Sequence, residues 1–179
     1  RTLSPNHLNV LAAMADVIRQ PRLAERLRLR QLRLHPDSFS ALYELAQTHA
    51  QRKQYDQALP LARQAVQAAS DATRPEALLR LGTIAAETGL VDEGLQALHQ
   101  ALRLDPTLYR AYLTLTRVYW GRGDYARAKA TLNRSVQMTN PASFIDLAIL
   151  YTGILESEQQ NEEALSWMRQ MVARYLGDI

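Results

Sequence analysis

The chain contains the stretch Leu42-Tyr43-Glu44-Leu45-Ala46-Gln47-Thr48-His49. In this stretch large apolar residues stand at positions i and i+3, a small residue stands at i+4, and a ring stands at i+7. Positions with this spacing lie on one face of an α-helix. The stretch therefore predicts a helix that buries this face against a neighbouring helix.

The same apolar pattern recurs along the chain at a nearly constant interval. The second, third and fourth copies are offset by 36 and 34 residues, an interval typical of helical repeat proteins. Five copies fill the chain. Apart from the stretch quoted above, they comprise Leu8, Leu11, Ala12 and Ala15; Leu78, Leu81, Gly82 and Ala85; Tyr112, Leu115, Thr116 and Tyr119; and Phe144, Leu147, Ala148 and Tyr151.

Each copy also contains a second apolar stripe, which another small residue begins. These residues are Ala24, Ala58, Gly94, Ala128 and, four positions late, Ala164. Turn-forming residues such as Gly89 and Gly123 separate the two stripes of a copy, and prolines such as Pro36 and Pro106 separate successive copies. Glycine supplies positive φ, and proline starts a helix well but cannot continue one. Each copy is thus predicted to be a pair of helices.

This pattern resembles the tetratricopeptide repeat family, whose unit is a helical hairpin of about 34 residues. The best matching stretches are residues 82–106 and 112–132, where the small, aromatic, alanine and proline positions recur in register. The resemblance implies an all-α fold, a right-handed α-solenoid of about five helix-turn-helix hairpins or about ten helices. The hairpins of this single domain, 1–179, are predicted to span approximately 5–38, 39–74, 75–108, 109–140 and 141–176.

The first copy departs from the others in its second helix. Arg28 and Gln31 stand where the second copy has Ala62 and Ala65. Terminal repeats of solenoids are commonly atypical, because one of their faces meets solvent or a neighbouring domain.

The composition is that of a folded, soluble, helix-rich protein, with 47% hydrophobic and 22% charged residues. Cysteine is absent, which excludes disulfides and thiolate metal sites but leaves both a periplasmic and a cytoplasmic location open. No apolar stretch is long enough to span a bilayer. Because the numbering opens at Arg1 without an initiator Met, we expect the chain to be a piece of a longer protein.

Charge is distributed unevenly along the chain. Residues 1–35 carry a net charge of +5, whereas residues 141–179 carry −4. Docking of the basic end on an acidic end, within a longer array or between molecules, would be sensitive to salt. The basic end has no aromatic residues among its Arg residues, which argues against nucleic-acid binding. The Arg cluster of this end consists of Arg19, Arg22, Arg26, Arg30 and Arg33. We favour a solvated helix face as its explanation over binding of phosphate or acidic lipid.

In the family, the first helices of the hairpins line a concave groove that is the usual binding surface. By helix phase, the residues beside each buried stripe are predicted to line this groove. They include Asn9, Asp16, Tyr43, Gln47, Leu79, Thr83, Arg110, Leu113, Arg117 and Trp120. Aromatic and Arg residues often anchor interfaces, so this set suits an extended or helical peptide with an acidic group. Packing between repeats is the alternative role for Tyr43 and Trp120.

Nothing in the sequence predicts an active site. The four His residues are far apart, and none has a second His or a carboxylate at a metal-binding helical spacing. His49 takes an aromatic position of the stripe, which favours a role in the core. No Gly-rich phosphate loop or nucleophile elbow occurs. We therefore expect neither enzymatic activity nor a bound cofactor or metal.

The leading functional prediction is a non-enzymatic scaffold or adaptor that binds a partner protein or peptide. The Arg-, Leu- and Gln-rich composition resembles that of bacterial proteins, and bacterial repeats of this kind often serve envelope assembly, secretion or polysaccharide export. Two alternatives stay open. In the first, the chain is the repeat portion of a larger enzyme, such as a glycosyltransferase, whose repeats present the substrate. In the second, it is a structural spacer that associates with itself through its charged ends.

Overall fold

The computed structural model describes residues 4–138 and 144–157, and beyond them residues 162, 165–167, 169, 170 and 173. These described residues form nine α-helices and no strand, so the predicted all-α fold is confirmed. The helices are α1 (Pro5–Val17), α2 (Pro21–Leu34), α3 (Phe39–Gln51), α4 (Tyr55–Ala68), α5 (Arg74–Glu87), α6 (Val91–Leu104), α7 (Tyr109–Gly121), α8 (Tyr125–Met138) and α9 (Phe144–Ser157).

The helices pack in chain order. α1 packs on α2, α3 on α4 and α7 on α8, and each of these pairs is joined by a short turn. Successive pairs also meet, because α2 packs on α3, α4 on α5 and α8 on α9. The chain forms two compact units, Arg1–Ala97 and Leu98–Ile179, whose boundary falls within α6. Within each unit two first helices contact each other, α3 with α5 and α7 with α9.

The turn between the two helices of a pair has the same backbone geometry four times. One residue in each turn has positive φ: Arg19 (57°), Lys53 (58°), Gly89 (84°) and Gly123 (73°). The next residue donates its N–H to the carbonyl five positions earlier, as in a Schellman motif. These bonds are Gln20 to Ala15 (2.8 Å), Gln54 to His49, Leu90 to Ala85 and Asp124 to Tyr119 (2.9 Å each).

The predicted stripes form the core. Leu8, Leu45 and Leu115 are fully buried, and small residues such as Ala46 let neighbouring helices approach closely. In α6, a Cβ added to Gly94 would lie 2.9 Å from the carbonyl oxygen of Gly82 on α5. Close approach between these helices therefore requires glycine at this position.

Leu11 departs from the predicted stripe. Its side chain is 39% exposed, whereas the equivalent Leu45 and Leu81 are 0% and 8% exposed. In the later copies a preceding second helix covers this position, because α2 packs on α3 and α4 packs on α5. No described helix precedes α1, so Leu11 stays partly exposed.

The unusual second helix of the first copy packs in the same way as the others. Arg28 and Gln31 are both buried, at the positions where the second copy buries Ala62 and Ala65. Arg28 donates to Asp16 on α1. Gln31 donates through Nε2 to the Ser38 hydroxyl at 2.7 Å. Polar partners thus accommodate residues that the repeat pattern reserves for small side chains.

Candidate partner-binding surface

In the first unit the candidate surface lies on α1, α3 and α5. Asn9 is exposed, and Tyr43, Gln47 and Thr83 are partly exposed, each beside a buried stripe. Thr83 donates its hydroxyl hydrogen to the carbonyl of Leu79 at 2.9 Å, which leaves the hydroxyl oxygen able to accept a hydrogen bond. These side chains therefore present mainly amide and hydroxyl groups to a partner.

Tyr43 links two first helices and still keeps part of its surface exposed. Its ring lies 5.5 Å from the ring of Phe39, between centroids. The guanidinium carbon of Arg80, on α5, lies 4.3 Å from the centre of the Tyr43 ring, a distance typical of a cation–π contact. Packing between repeats, one of the two roles considered for Tyr43, is thus observed.

Two carboxylates lie beside these residues: Asp16, which helix phase predicts to line the groove, and Glu44, which was not among the predicted contacts. The Asp16 and Glu44 side chains are 44% and 42% exposed, and Arg28 approaches both, at 4.0 Å from Glu44. The sequence held a signal for them, because a buried Arg in place of alanine requires a carboxylate or another acceptor nearby. The first unit therefore exposes acidic groups from α1 and α3.

In the second unit the candidate surface lies on α7. Arg110 and Arg117, two turns apart, are both exposed. Trp120 instead packs with α9, where a Cβ added to Gly153 would lie 2.6 Å from the Cη2 atom of the indole. Its ring also packs against a buried cluster of Leu113, Leu132, Leu150, Tyr151, Leu155 and Trp167. The packing role of Trp120 is therefore observed.

Two predicted groove residues offer almost no surface to a partner. Leu79 and Leu113 are only 4% and 8% exposed. Helix phase placed them beside the stripe, but neighbouring side chains close over them. We correct the set of candidate contacts accordingly and keep Asn9, Tyr43, Gln47, Thr83, Arg110 and Arg117.

Two His residues have defined partners. His49 is buried, and its Nδ1 lies 2.9 Å from Oε1 of Gln54, which confirms its predicted place in the core. His99 of α6 is exposed as a whole residue, but its ring is partly buried, with Nε2 2.9 Å from the Tyr119 hydroxyl. Burial of the ring lowers the pKa of His99, and the positive charges of Arg103 and Arg127 lower this pKa further.

Within the part of the chain that the structure describes, no three His, Asp or Glu residues are placed to hold a metal ion. No helix in the same ranges has the length and apolar character needed to cross a membrane.

Paired helices, recurring turns and contacts between first helices within each unit define a helical repeat protein of the α-solenoid class. Two tetratricopeptide repeat family models match the chain, one over residues 18–73 and the other over residues 85–142. Together they cover more than half of it. The chain belongs to the tetratricopeptide repeat family.

Solved structures of similar fold agree with this assignment. PilF of Pseudomonas aeruginosa has a TM-score of 0.76 at 16% identity, over 98% of this chain and 78% of PilF. MamA has a TM-score of 0.77 at 18% identity, over 94% of this chain and 90% of MamA. YrrB, described as a tetratricopeptide repeat protein with an unusual peptide-binding site, has a TM-score of 0.71 at 14% identity, over 94% of this chain and 85% of YrrB. At these identities the likeness shows the fold alone. No curated protein matches the chain in sequence.

Proposed function

We propose that this chain is a non-enzymatic scaffold that holds a protein or peptide partner on its first helices. The observation that carries the proposal is the exposure of polar and charged side chains beside fully buried stripes. Tyr43 and Gln47 on α3 and Arg117 on α7 keep accessible surface, although the stripe residues next to them are buried. YrrB, which has the same fold, is described as binding a peptide.

The two units favour different chemical groups in a partner. In the second unit, the exposed Arg110 and Arg117 suit carboxylates, because guanidinium groups bind them with two parallel hydrogen bonds. In the first unit, Asp16 and Glu44 suit amide or cationic donors. The acidic group predicted from the sequence is therefore proposed as a ligand of α7.

A displayed peptide library, selected on the wild-type chain, would test the proposal. For an acidic peptide so obtained, Arg117→Ala should raise the dissociation constant about 10-fold, because it removes a charge-assisted contact. Arg134→Ala is the matched control, since Arg134 is also an exposed Arg and lies on α8. Isothermal titration calorimetry would measure both. Equal affinities of the two variants would remove α7 from the binding surface, and a library without binders would contradict the scaffold function.

Self-association through the oppositely charged ends is a second candidate function. The observation that favours it is the difference in net charge between residues 1–35 (+5) and residues 141–179 (−4).

A further inference from the structure

The outer side of α2 carries a basic surface. Its arginines lie on the side of the helix opposite the buried Ala24 and Gln31. At 100° per residue four of them fall within an arc of about 80°, and a fifth lies in the turn that precedes the helix. All five are exposed. We call this surface the α2 face, and it consists of Arg19, Arg22, Arg26, Arg30 and Arg33.

This side of a second helix is exposed even where the repeat has a neighbour on both sides. The second hairpin contacts a hairpin on each side, because α2 packs on α3 and α4 packs on α5. Its residues at the positions equivalent to the α2 face are nevertheless all exposed. They are Lys53, Asp56, Pro60, Gln64 and Gln67. The α2 face is thus an outer surface of the repeat, and its exposure does not come from its place in the first copy.

The charge of this surface is particular to the first copy. The α2 face carries +5, whereas at the equivalent positions of the second copy the charges of Lys53 and Asp56 cancel and the other three residues are uncharged. The packing of the hairpins therefore does not require a basic outer surface.

The carboxylates nearest to the α2 face are engaged with other arginines. Helices α1 and α2 contain one carboxylate each: Asp16 accepts a hydrogen bond from Arg28, and Glu25 lies 2.8 Å from Arg52. None of the ion pairs found among the described residues includes an arginine of the α2 face. Since like charges on one helix repel each other, an anionic surface that neutralised them would be attracted.

Two leucines lie at the two edges of the α2 face. By helix phase Leu29 flanks the arginines on one side and Leu23 on the other, and their side chains are 42% and 44% exposed. The second copy has the polar Arg63 and Gln57 at these positions, both exposed. A single exposed leucine is common on protein surfaces. Two leucines beside a basic surface, however, combine the groups that bind lipid headgroups with apolar groups that enter the boundary of the acyl chains.

We propose that the α2 face binds the surface of an anionic lipid bilayer. Its arginines contact the headgroups, and Leu23 and Leu29 enter the boundary of the acyl chains. Charge alone also fits a solvated helix face, the explanation favoured from the sequence, but the flanking leucines favour the bilayer. Nucleic acid is the other extended polyanion, and the lack of aromatic residues among the arginines argues against it.

This inference goes beyond the scaffold function, because it assigns a second surface to the chain. In the first unit the candidate partner-binding residues lie on first helices, whereas the α2 face lies on a second helix. A chain bound to a bilayer through α2 would therefore keep Tyr43 and Gln47 accessible to a partner.

Flotation with vesicles tests the proposal. At about 50 mM NaCl the wild-type chain should float with phosphatidylcholine vesicles that contain about 30% phosphatidylglycerol, and it should bind pure phosphatidylcholine at least about 10-fold more weakly. Binding should weaken at about 500 mM NaCl, because salt screens the charges. Flotation also separates bilayer binding from self-association, since chains without lipid stay at the bottom of the gradient. A wild-type chain that does not float with the anionic vesicles overturns the proposal.

Charge variants test whether the α2 face is the site. Arg30→Gln, Arg33→Gln should weaken vesicle binding about 30-fold, since each basic residue near an anionic surface strengthens binding roughly 5-fold. The matched control is Arg103→Gln, Arg134→Gln, which removes the same charge from the equivalent, exposed positions of α6 and α8. It should bind within about 2-fold of the wild type, because charges away from the contact are screened. An equal loss in both variants would show that net charge, and not the α2 face, binds the vesicles.

Leucine variants test whether the ligand is a bilayer. Leu23→Gln, Leu29→Gln keeps all five arginines and should weaken vesicle binding about 5-fold or more, without changing the affinity for a duplex oligonucleotide. The matched control is Leu90→Gln, Leu104→Gln, whose leucines are 44% and 52% exposed, and it should bind like the wild type. Circular dichroism verifies that all chains are equally helical.

The outcomes separate the bilayer from a general polyanion and from the scaffold function. Vesicle binding that Leu23→Gln, Leu29→Gln does not weaken, or an oligonucleotide that binds more tightly than the vesicles, overturns the bilayer as the ligand. Peptide affinity measured on the same variants reports on the first helices, so either proposal can fail while the other stands.

Discussion

Arg28 on α2 donates a hydrogen bond to Asp16 on α1, at a position where the next copy buries Ala62. The pair joins the two helices of the first hairpin. Glu44, 4.0 Å from the same guanidinium, extends the contact to α3. The Arg28 side chain is buried whereas Asp16 is half exposed, so the guanidinium depends on Asp16 more than the carboxylate depends on Arg28.

Asp16→Ala should lower the free energy of unfolding by about 2 kcal/mol. This is less than the ~3 to 5 kcal/mol for breaking a fully buried pair, because water and Glu44 still reach the guanidinium. Urea unfolding followed by circular dichroism measures the change. Asp37→Ala removes an exposed carboxylate and is the control. If both variants unfold at the same urea concentration, Asp16 is not needed to satisfy Arg28.

Gly94→Ala should destabilise the chain by about 1 to 3 kcal/mol, although alanine favours helix more than glycine does. The added Cβ would meet the backbone nitrogen of Ala86 at 3.0 Å as well as the Gly82 carbonyl. Gly121→Ala is the contrasting variant, because its Cβ meets nothing within 4 Å, and it should be neutral or stabilise by up to about 1 kcal/mol. Thermal and urea unfolding would measure both variants. The unfolding midpoint of Gly94→Ala should fall, whereas that of Gly121→Ala should stay the same or rise.

Trp120→Ala should lower the free energy of unfolding by about 3 kcal/mol or more, because it opens a cavity between α7 and α9. A residue that only contacted a partner would show no such loss. Arg117→Ala, on the same helix but exposed, should leave the unfolding midpoint nearly unchanged. Equal midpoints for these two variants would return Trp120 to the set of binding residues.

His99 should make stability depend on pH. Its pKa is lowered from the ordinary value of about 6.5, so below that pH the unfolded chain takes up a proton before the folded chain does. The contribution of His99 is complete above pH 6.5 and is lost as the pH falls through the folded pKa. His99→Gln should therefore flatten the decline of the wild-type unfolding midpoint below pH 6.5, whereas His35→Gln, which changes an exposed His, should keep it.

The fold was readable from the sequence because the signals that encode it are local and repeated. Apolar spacing placed the stripe of Leu42, Leu45 and His49, and glycine marked two of the turns. Because the pattern repeats, the helices and turns of one hairpin predict those of the next. A position that is ambiguous in one copy can therefore be assigned from the other copies. Polar substitutions such as Arg28 interrupt the pattern without changing the packing, since Asp16 supplies the missing partner.

The candidate surface was less readable, because exposure depends on neighbouring helices. Helix phase alone predicted that both Leu79 and Arg117 line the groove, although Leu79 is buried and Arg117 is exposed. Trp120 was open to two roles until α9 was seen to pack on it. Leu11 shows the reverse case, in which a stripe residue stays exposed because no described helix covers it.

The turn residues with positive φ mark where the chain can be divided into repeats. They are Arg19, Lys53, Gly89 and Gly123. They recur every 34 or 36 residues, although only two of them are glycine. A left-handed backbone costs a residue with a Cβ roughly 1 to 2 kcal/mol. The positive charges of Arg19 and Lys53, just after the ends of α1 and α3, offset part of that cost through the helix dipole. Protein engineers who transplant hairpins from this chain should align their modules on this backbone landmark, which the four described hairpin turns share, and not on glycine, which two of these turns lack.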